Sequence, residues 1–332
     1  MLPKMDRRTL LERFMGCCLL GAPLGADAQP STRLPRIAYL APSLSPEASR
    51  LVAAFRQGLH ELGYAEGRNV VLELRSADGK ADRFPALAAE LVALNPDVIV
   101  AGATPTVLAL KKATATIPIV FPVHTDPIGA GLVASLARPG GNVTGLSYFS
   151  EDLIGKRLQL LKEVVPGLSR IAVLWMSPNA AALVQLKAGE VAARELGLSI
   201  QILEVRGAEA LEGAFQTATA ASSQALLVID DPFSFLLRKR IVELANRTRL
   251  PAMYGPREFA LDGGLIAYGA NLEDMFRRAA NYVAKILNGA KPADLPVEQP
   301  TKFDFVINLR TAEALGLAIP QSIVTRADEV IQ

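Results

Sequence analysis

Asp97-Val-Ile-Val-Ala101-Gly-Ala-Thr-Pro105 and, a little further on, Ile117-Pro-Ile-Val-Phe-Pro-Val123-His-Thr-Asp-Pro127 follow the same pattern. Each is a short apolar run without polar alternation, then a polar loop, then the start of a helical segment. Such runs suit strands buried on both faces of a parallel sheet. Strand, loop and helix in that order make a βα unit, and a parallel sheet collects its βα loops at one edge. Thr104 and Asp126 are therefore expected to meet in space although 22 positions separate them. Both stand just before a helix start, where free backbone N–H groups and the helix dipole favour anionic atoms.

The same pattern extends outward in both directions. Before it, residues 36–40 read as a strand. Ser45 is the N-cap and Pro46 the first residue of a helix whose face carries Leu51, Phe55, Leu59 and Leu62, and Gly63 stops it. Residues 69–74 read as a second strand and 81–94 as a helix. After it, 128–137 are expected to be helical and 143–146 a fifth strand. The pattern then restarts: Ser150 caps a helix bearing Leu153, Leu158, Leu161 and Val164, ended by Pro166-Gly167. Strands at 171–174, 198–205, 225–229, 251–254, 264–268 and 302–307 alternate with helices at 180–196, 208–221, 234–250 and 271–288, with a short helix at 310–315 at the end. Two arrays of about five strands each predict an α/β chain with two similar, doubly wound lobes, and facing arrays leave a cleft lined by loop ends from both.

The chain has 332 residues, half of them hydrophobic, with a formal net charge of +2. Residues 1–28 have the order of a secretory signal: Lys4, Arg7, Arg8 and Arg13, a short apolar stretch, then Ala26-Asp27-Ala28 before Gln29. Arg7-Arg8-Thr9-Leu10-Leu11 also resembles a twin-arginine signal without its usual Phe, so the Sec and twin-arginine routes both stay open. A membrane-anchored helix is the alternative, and Phe14-Met15-Gly16 before Cys17 and Cys18 departs from a lipoprotein signal. The expected location is the periplasm. Both cysteines fall in this segment, so the mature chain has no disulfide framework, thiolate nucleophile or cysteine metal site. His60 and His124 lie in different segments, which excludes a histidine-rich metal site. No basic stripe points to nucleic acid. Ala41-Pro42-Ser43 lacks the glycines of a phosphate-cradling loop, and no serine–histidine pair stands out, so neither a dinucleotide cofactor nor a catalytic residue is expected.

Several segments in order resemble a known family. These are Phe55-Arg-Gln-Gly-Leu-His-Glu-Leu-Gly-Tyr64, Asn95-Pro-Asp-Val-Ile99, Ile117-Pro-Ile-Val-Phe121 with Asp126-Pro127, Arg138-Pro-Gly-Gly-Asn-Val-Thr-Gly145, Gly155-Lys-Arg157, Asp231-Pro232, Leu250-Pro-Ala252, and Gly263-Gly-Leu265 with Tyr268-Gly269. Over residues 36 to about 330 the chain is similar to the periplasmic solute-binding proteins of ABC importers, in the group with tryptophan-binding members. The resemblance implies a type I periplasmic-binding-protein fold, a ligand in the interlobe cleft and chain crossings near Ser147, Tyr268 to Asn271, and Leu295 to Thr301. With residues 1–28 as signal, 35–146 plus 271–294 would form the first lobe and 147–270 plus 301–330 the second. Gly102-Ala103-Thr104 departs from the Gly-Thr more usual there.

Candidate ligand-binding residues follow from the loop ends. Ser43 and Thr104 stand at helix starts and either cap them or help bind a carboxylate. Asp126 and Asp231 follow strands and either cap through a proline or meet an ammonium or hydroxyl. Of the adjacent Asp230 and Asp231, the second is favoured, since it directly precedes Pro232. Tyr148, Tyr254 and Tyr268 offer rings at strand ends, beside Phe149, Trp175 and Phe233. Asn179 caps its helix or binds ligand. The loop ends favour a small organic ligand, an amino-acid-like carboxylate above all, and the resemblance implies a monomeric, non-enzymatic binding protein that passes it to ABC permease membrane subunits. A ligand-sensing partner of a membrane receptor is the second reading, and a small-molecule enzyme such as a racemase the third.

Overall fold

In the computed structural model, which describes residues 33–148, 151–176 and 180–332, β1 (Arg36–Ala41) shows why the apolar runs are unbroken. Its Ile37 and Tyr39 enter one apolar layer and Ala38 and Leu40 the other, all essentially buried. Side chains alternate across a strand, so a strand covered on both faces must be apolar throughout. Then follow α1 (Pro46–Glu61), β2 (Val71–Ser76), α2 (Phe84–Ala93), β3 (Val98–Ala101), α3 (Thr104–Ala113), β4 (Ile119–His124) and β5 (Val143–Ser147). These five strands form one parallel sheet in the order β2-β1-β3-β4-β5. Ser45 caps α1 as expected, accepting from the Ala48 N–H at 3.3 Å.

The second sheet draws on α4 (Glu151–Val164), β6 (Arg170–Met176), α5 (Ala180–Glu195), β7 (Ser199–Val205), α6 (Leu211–Ala220), β8 (Ala225–Val228), α7 (Pro232–Leu236), α8 (Arg238–Arg247), β9 (Ala252–Tyr254), α9 (Arg257–Leu261) and β10 (Ile266–Ala270). Next, α10 (Leu272–Leu287) returns to the first lobe, burying Met275, Phe276, Ala279 and Val283 with the β1 core. The chain recrosses into β11 (Phe303–Asn308), α11 (Leu309–Leu315), α12 (Gln321–Val324) and β12 (Glu329–Ile331). The sheet order is β12-β11-β10-β9-β8-β6-β7, parallel except for the antiparallel β10–β11 pair. As in β1, β6 splits its residues: Ile171 and Val173 join one apolar layer, Ala172 and Leu174 the other. The segment between α10 and β11 pairs with the first sheet at Leu146 and Glu298, and the Ser147 N–H donates to the Glu298 carbonyl at 2.8 Å.

Three local expectations are corrected. Residues 128–137 form turns rather than a helix. The Asp126 carboxylate accepts from the Gly129 N–H at 2.7 Å, and the Leu132 and Val133 N–H groups both return to the Pro127 carbonyl. Gly129 and Gly131 weaken helix there, and Gly131 takes φ 67°. The helix foreseen at 234–250 begins earlier and breaks at Leu237, because Asp231 caps α7. The second sheet has seven strands rather than about five, since β12 carries no apolar run of its own and pairs through β11. The Ser150 cap and Asn179 lie outside the described residues.

Candidate functional site

At the strand ends of the first lobe, Thr104 and His124 share a hydrogen bond of 2.9 Å between Oγ1 and Nε2. His124 is 3% exposed. Burial lowers its pKa to about 4, opposed by the Asp126 charge, so the imidazole is neutral near pH 7. The loops that carry Thr104 and Asp126 thus converge on His124, which the sequence did not single out as part of a site: Thr104 bonds it, and the Asp126 charge acts on it. Thr106 is a bland case: its hydroxyl donates back to the Gly102 and Ala103 carbonyls just before α3. Ala103, before the helix, holds φ 76°. Ser43 is half-buried in the loop after β1.

Across from these, Asp231 follows β8. Its Oδ1 accepts from the Phe233 and Ser234 N–H groups at 2.7 and 3.0 Å, and its own N–H donates to Ser234 Oγ at 3.2 Å, a complete capping box. Its Oδ2 is buried and has no hydrogen-bond partner among the described residues. Burial pushes the carboxyl up to about 6; the hydrogen bonds from Ser234 and Phe233 pull it down and the Asp230 charge adds to the rise. Asp230, the acid not favoured from sequence, is committed elsewhere. Its Oδ2 accepts from Arg157 Nη2 at 2.6 Å, with side chains 8% and 1% exposed. The buried Gln185 brackets the Asp230 backbone, donating to its carbonyl at 2.7 Å and accepting from its N–H at 3.2 Å.

Arg157 is the principal residue that sequence reasoning missed. It stands four positions after Leu153 and four before Leu161, on the apolar stripe of α4. A charged residue at that spacing is the signal that was available. Its Nε donates to the Tyr268 carbonyl at 2.7 Å. Gly255 makes room for the pair: a Cβ there would lie 2.1 Å from Asp230 Oδ1 and 2.5 Å from Arg157 Nη2. Tyr148, 5% exposed, packs its ring in the first-lobe core. Its hydroxyl lies within charge interaction of Asp230, Arg157 and Glu258 without a hydrogen bond of ordinary geometry. Burial first, then the Asp230 charge, hold this phenol well above its usual value. Glu258 on α9 is raised by burial and interacts with Arg50 on α1, so charges of the two lobes face each other here.

The other two tyrosines lie apart. Tyr254 is wholly buried, stacked on Phe259 at 4.6 Å between ring centroids in the core beside α8 and α9. Tyr268 stacks on Phe303 at 6.0 Å and borders a groove of about 890 Å³ between α4 and α5, with Lys156, Lys187 and Val191 along it. Trp175 is half-buried against the second-lobe core. The structure therefore brings Tyr148, Arg157, Asp230 and Asp231 into one cluster and Thr104, His124 and Asp126 into another.

Two α/β lobes crossed three times by the chain, with polar groups at their strand ends, define a type I periplasmic-binding-protein fold. The chain belongs to the family of ABC transporter substrate binding proteins, whose pattern it matches over residues 38–331. It is 27% identical over 280 residues to a tyrosine-binding protein of Clostridioides difficile strain R20291, covering 82% of this chain and 78% of that one. An ABC domain from Streptococcus pneumoniae solved in complex with L-Trp superposes with TM-score 0.82 at 27% identity, over 90% of this chain and all of that one. A conserved domain protein from Vibrio cholerae has the same TM-score and coverage at 30% identity.

Proposed function

We propose that this protein is an exported binding protein that carries an aromatic amino acid, or a closely similar carboxylate, to an ABC permease. The observation that carries the reading is the composition of the buried cluster. Tyr148 OH and Arg157 Nη1 are donors, and Asp231 Oδ2 and Glu258 Oε2 acceptors, buried and without hydrogen-bond partners among the described residues. Unpaired buried polar groups are costly, and a zwitterion supplies both complements at once. Two relatives that bind tyrosine and L-Trp support an aromatic side chain. In the first lobe, Ser43, Thr104 and Asp126 face the ligand's other end in this reading. The first 28 residues act as an export signal, with Gln29 as the mature N-terminus.

The test is purification from the periplasmic fraction, mass spectrometry of the small molecules released on denaturation, and calorimetry with each. The expected result is a chain starting at Gln29 that releases and rebinds tryptophan or tyrosine. A released neutral sugar that rebinds tightly, with amino acids inert, would overturn the ligand class.

A further inference from the structure

We infer that Arg157, together with the Tyr148 hydroxyl, receives the carboxylate of the ligand. The inference rests on the amino-acid reading above and assigns the contact to the second-lobe cluster rather than to the helix starts after Ser43 and Thr104. Arg157 is held in place by two of its donors, Nε on the Tyr268 carbonyl at 2.7 Å and Nη2 on Asp230 at 2.6 Å. The third nitrogen, Nη1, is buried without a hydrogen-bond partner among the described residues; the Tyr148 hydroxyl, which also lacks one of ordinary geometry there, lies close enough to interact with both Arg157 and Asp230. An arginine fixed on one edge of its fork presents the remaining N–H groups in a set direction, which suits a planar carboxylate. Asp230 keeps the guanidinium charged and oriented, and Gly255 leaves the space both need. With the side chain 1% exposed, a ligand reaches it when the lobes part, and closure brings Tyr148 from the first-lobe core onto the same oxygen atoms.

The test is calorimetry on the purified chain with two probes, L-tryptophan and L-tryptophanamide, which differ only in the carboxylate. The wild type is expected to prefer the acid by roughly 10–150-fold, the range of a charge-assisted hydrogen bond. Arg157→Lys keeps a cation beside Asp230 but loses the fork, and the preference should fall to within about threefold, the expected loss of bidentate geometry. Tyr148→Phe keeps the ring in the core and should lower the preference by about fivefold, for one lost hydrogen bond. This second variant decides the matter if Arg157→Lys does not fold. An undiminished acid preference in either folded variant would overturn the inference while leaving the binding function intact. Failure of the wild type to bind L-tryptophan, L-tyrosine or any other amino acid would instead remove the amino-acid reading, and this inference with it.

Discussion

Asp231 does two jobs with two oxygens. Oδ1 caps α7, while Oδ2 has no hydrogen-bond partner among the described residues and burial lifts the carboxyl from 3.8 to about 6. A folded-state pKa above the unfolded one means that the contribution to stability is fully present below pH 3.8 and lost as pH rises through about 6. His124 has the opposite sign: with its pKa lowered to about 4, stability present above 6.5 is lost as pH falls. Wild type and variant must therefore be compared at matched pH. Asp231→Asn keeps the cap, since Asn caps about as well as Asp, and removes the ionisation penalty. In urea unfolding without ligand, the variant should be more stable than wild type by about 1–2 kcal/mol at pH 8 and little different at pH 4. Its affinity for an ammonium ligand should drop by roughly 1.5–3 kcal/mol. Equal destabilisation at both pH values, with affinity unchanged, would show that the carboxylate matters only as a cap.

At the scale of elements, the β9–α9 loop and α4 are tied by what Gly255 lacks. A methyl there would overlap Asp230 and Arg157, and Gly269 packs so closely that its own Cβ would lie 2.4 Å from the Gly255 carbonyl. Forcing apart a buried ion pair costs about 3–5 kcal/mol. Gly255→Ala should therefore destabilise the fold by about 3 kcal/mol and abolish ligand binding. Gly213→Ala is the control: it lies in α6, exposed, with nothing within 4 Å of a built Cβ. It should stabilise by up to about 1 kcal/mol through helix propensity. Thermal unfolding of both variants checks the contrast, and a wild-type-like Gly255→Ala would mean that the pair relaxes freely.

For the whole molecule, the three crossings set the permitted motion. Between the lobes run the short link from β5 to α4, the turn from β10 into α10 capped by Asn271, and the return along Glu298 to β11. Asn271 caps α10 through the Asp274 N–H at 2.7 Å and donates to Asp304 at 2.8 Å, coupling two crossings. Lobes joined in this way move as rigid bodies about a few residues. Small-angle scattering should show a smaller radius of gyration when ligand saturates the protein than when it is stripped. Superimposable curves would count against closure as the binding step.

The order of strands and helices, and the burial of the sheets on both faces, could be read from the chain, because both arise from local apolar periodicity. So could the convergence of the Thr104 and Asp126 loops, seen where Thr104 bonds His124, which parallel topology requires of successive βα loops. Tertiary structure alone decided what depends on contacts far apart in sequence. Arg157 pairs with Asp230 across 73 positions, and apolar patterning says nothing about which of two adjacent acids an arginine will meet. Residues 128–137 turn rather than coil because Asp126 captures the Gly129 N–H and Lys111 reaches the Gly131 and Leu132 carbonyls. Tyr254 lies in the core on Phe259, and Tyr268 turns its ring to the α4–α5 groove. At a strand end, alternation fixes which sheet face a ring takes, but the helices packed on that face decide whether it meets protein or ligand.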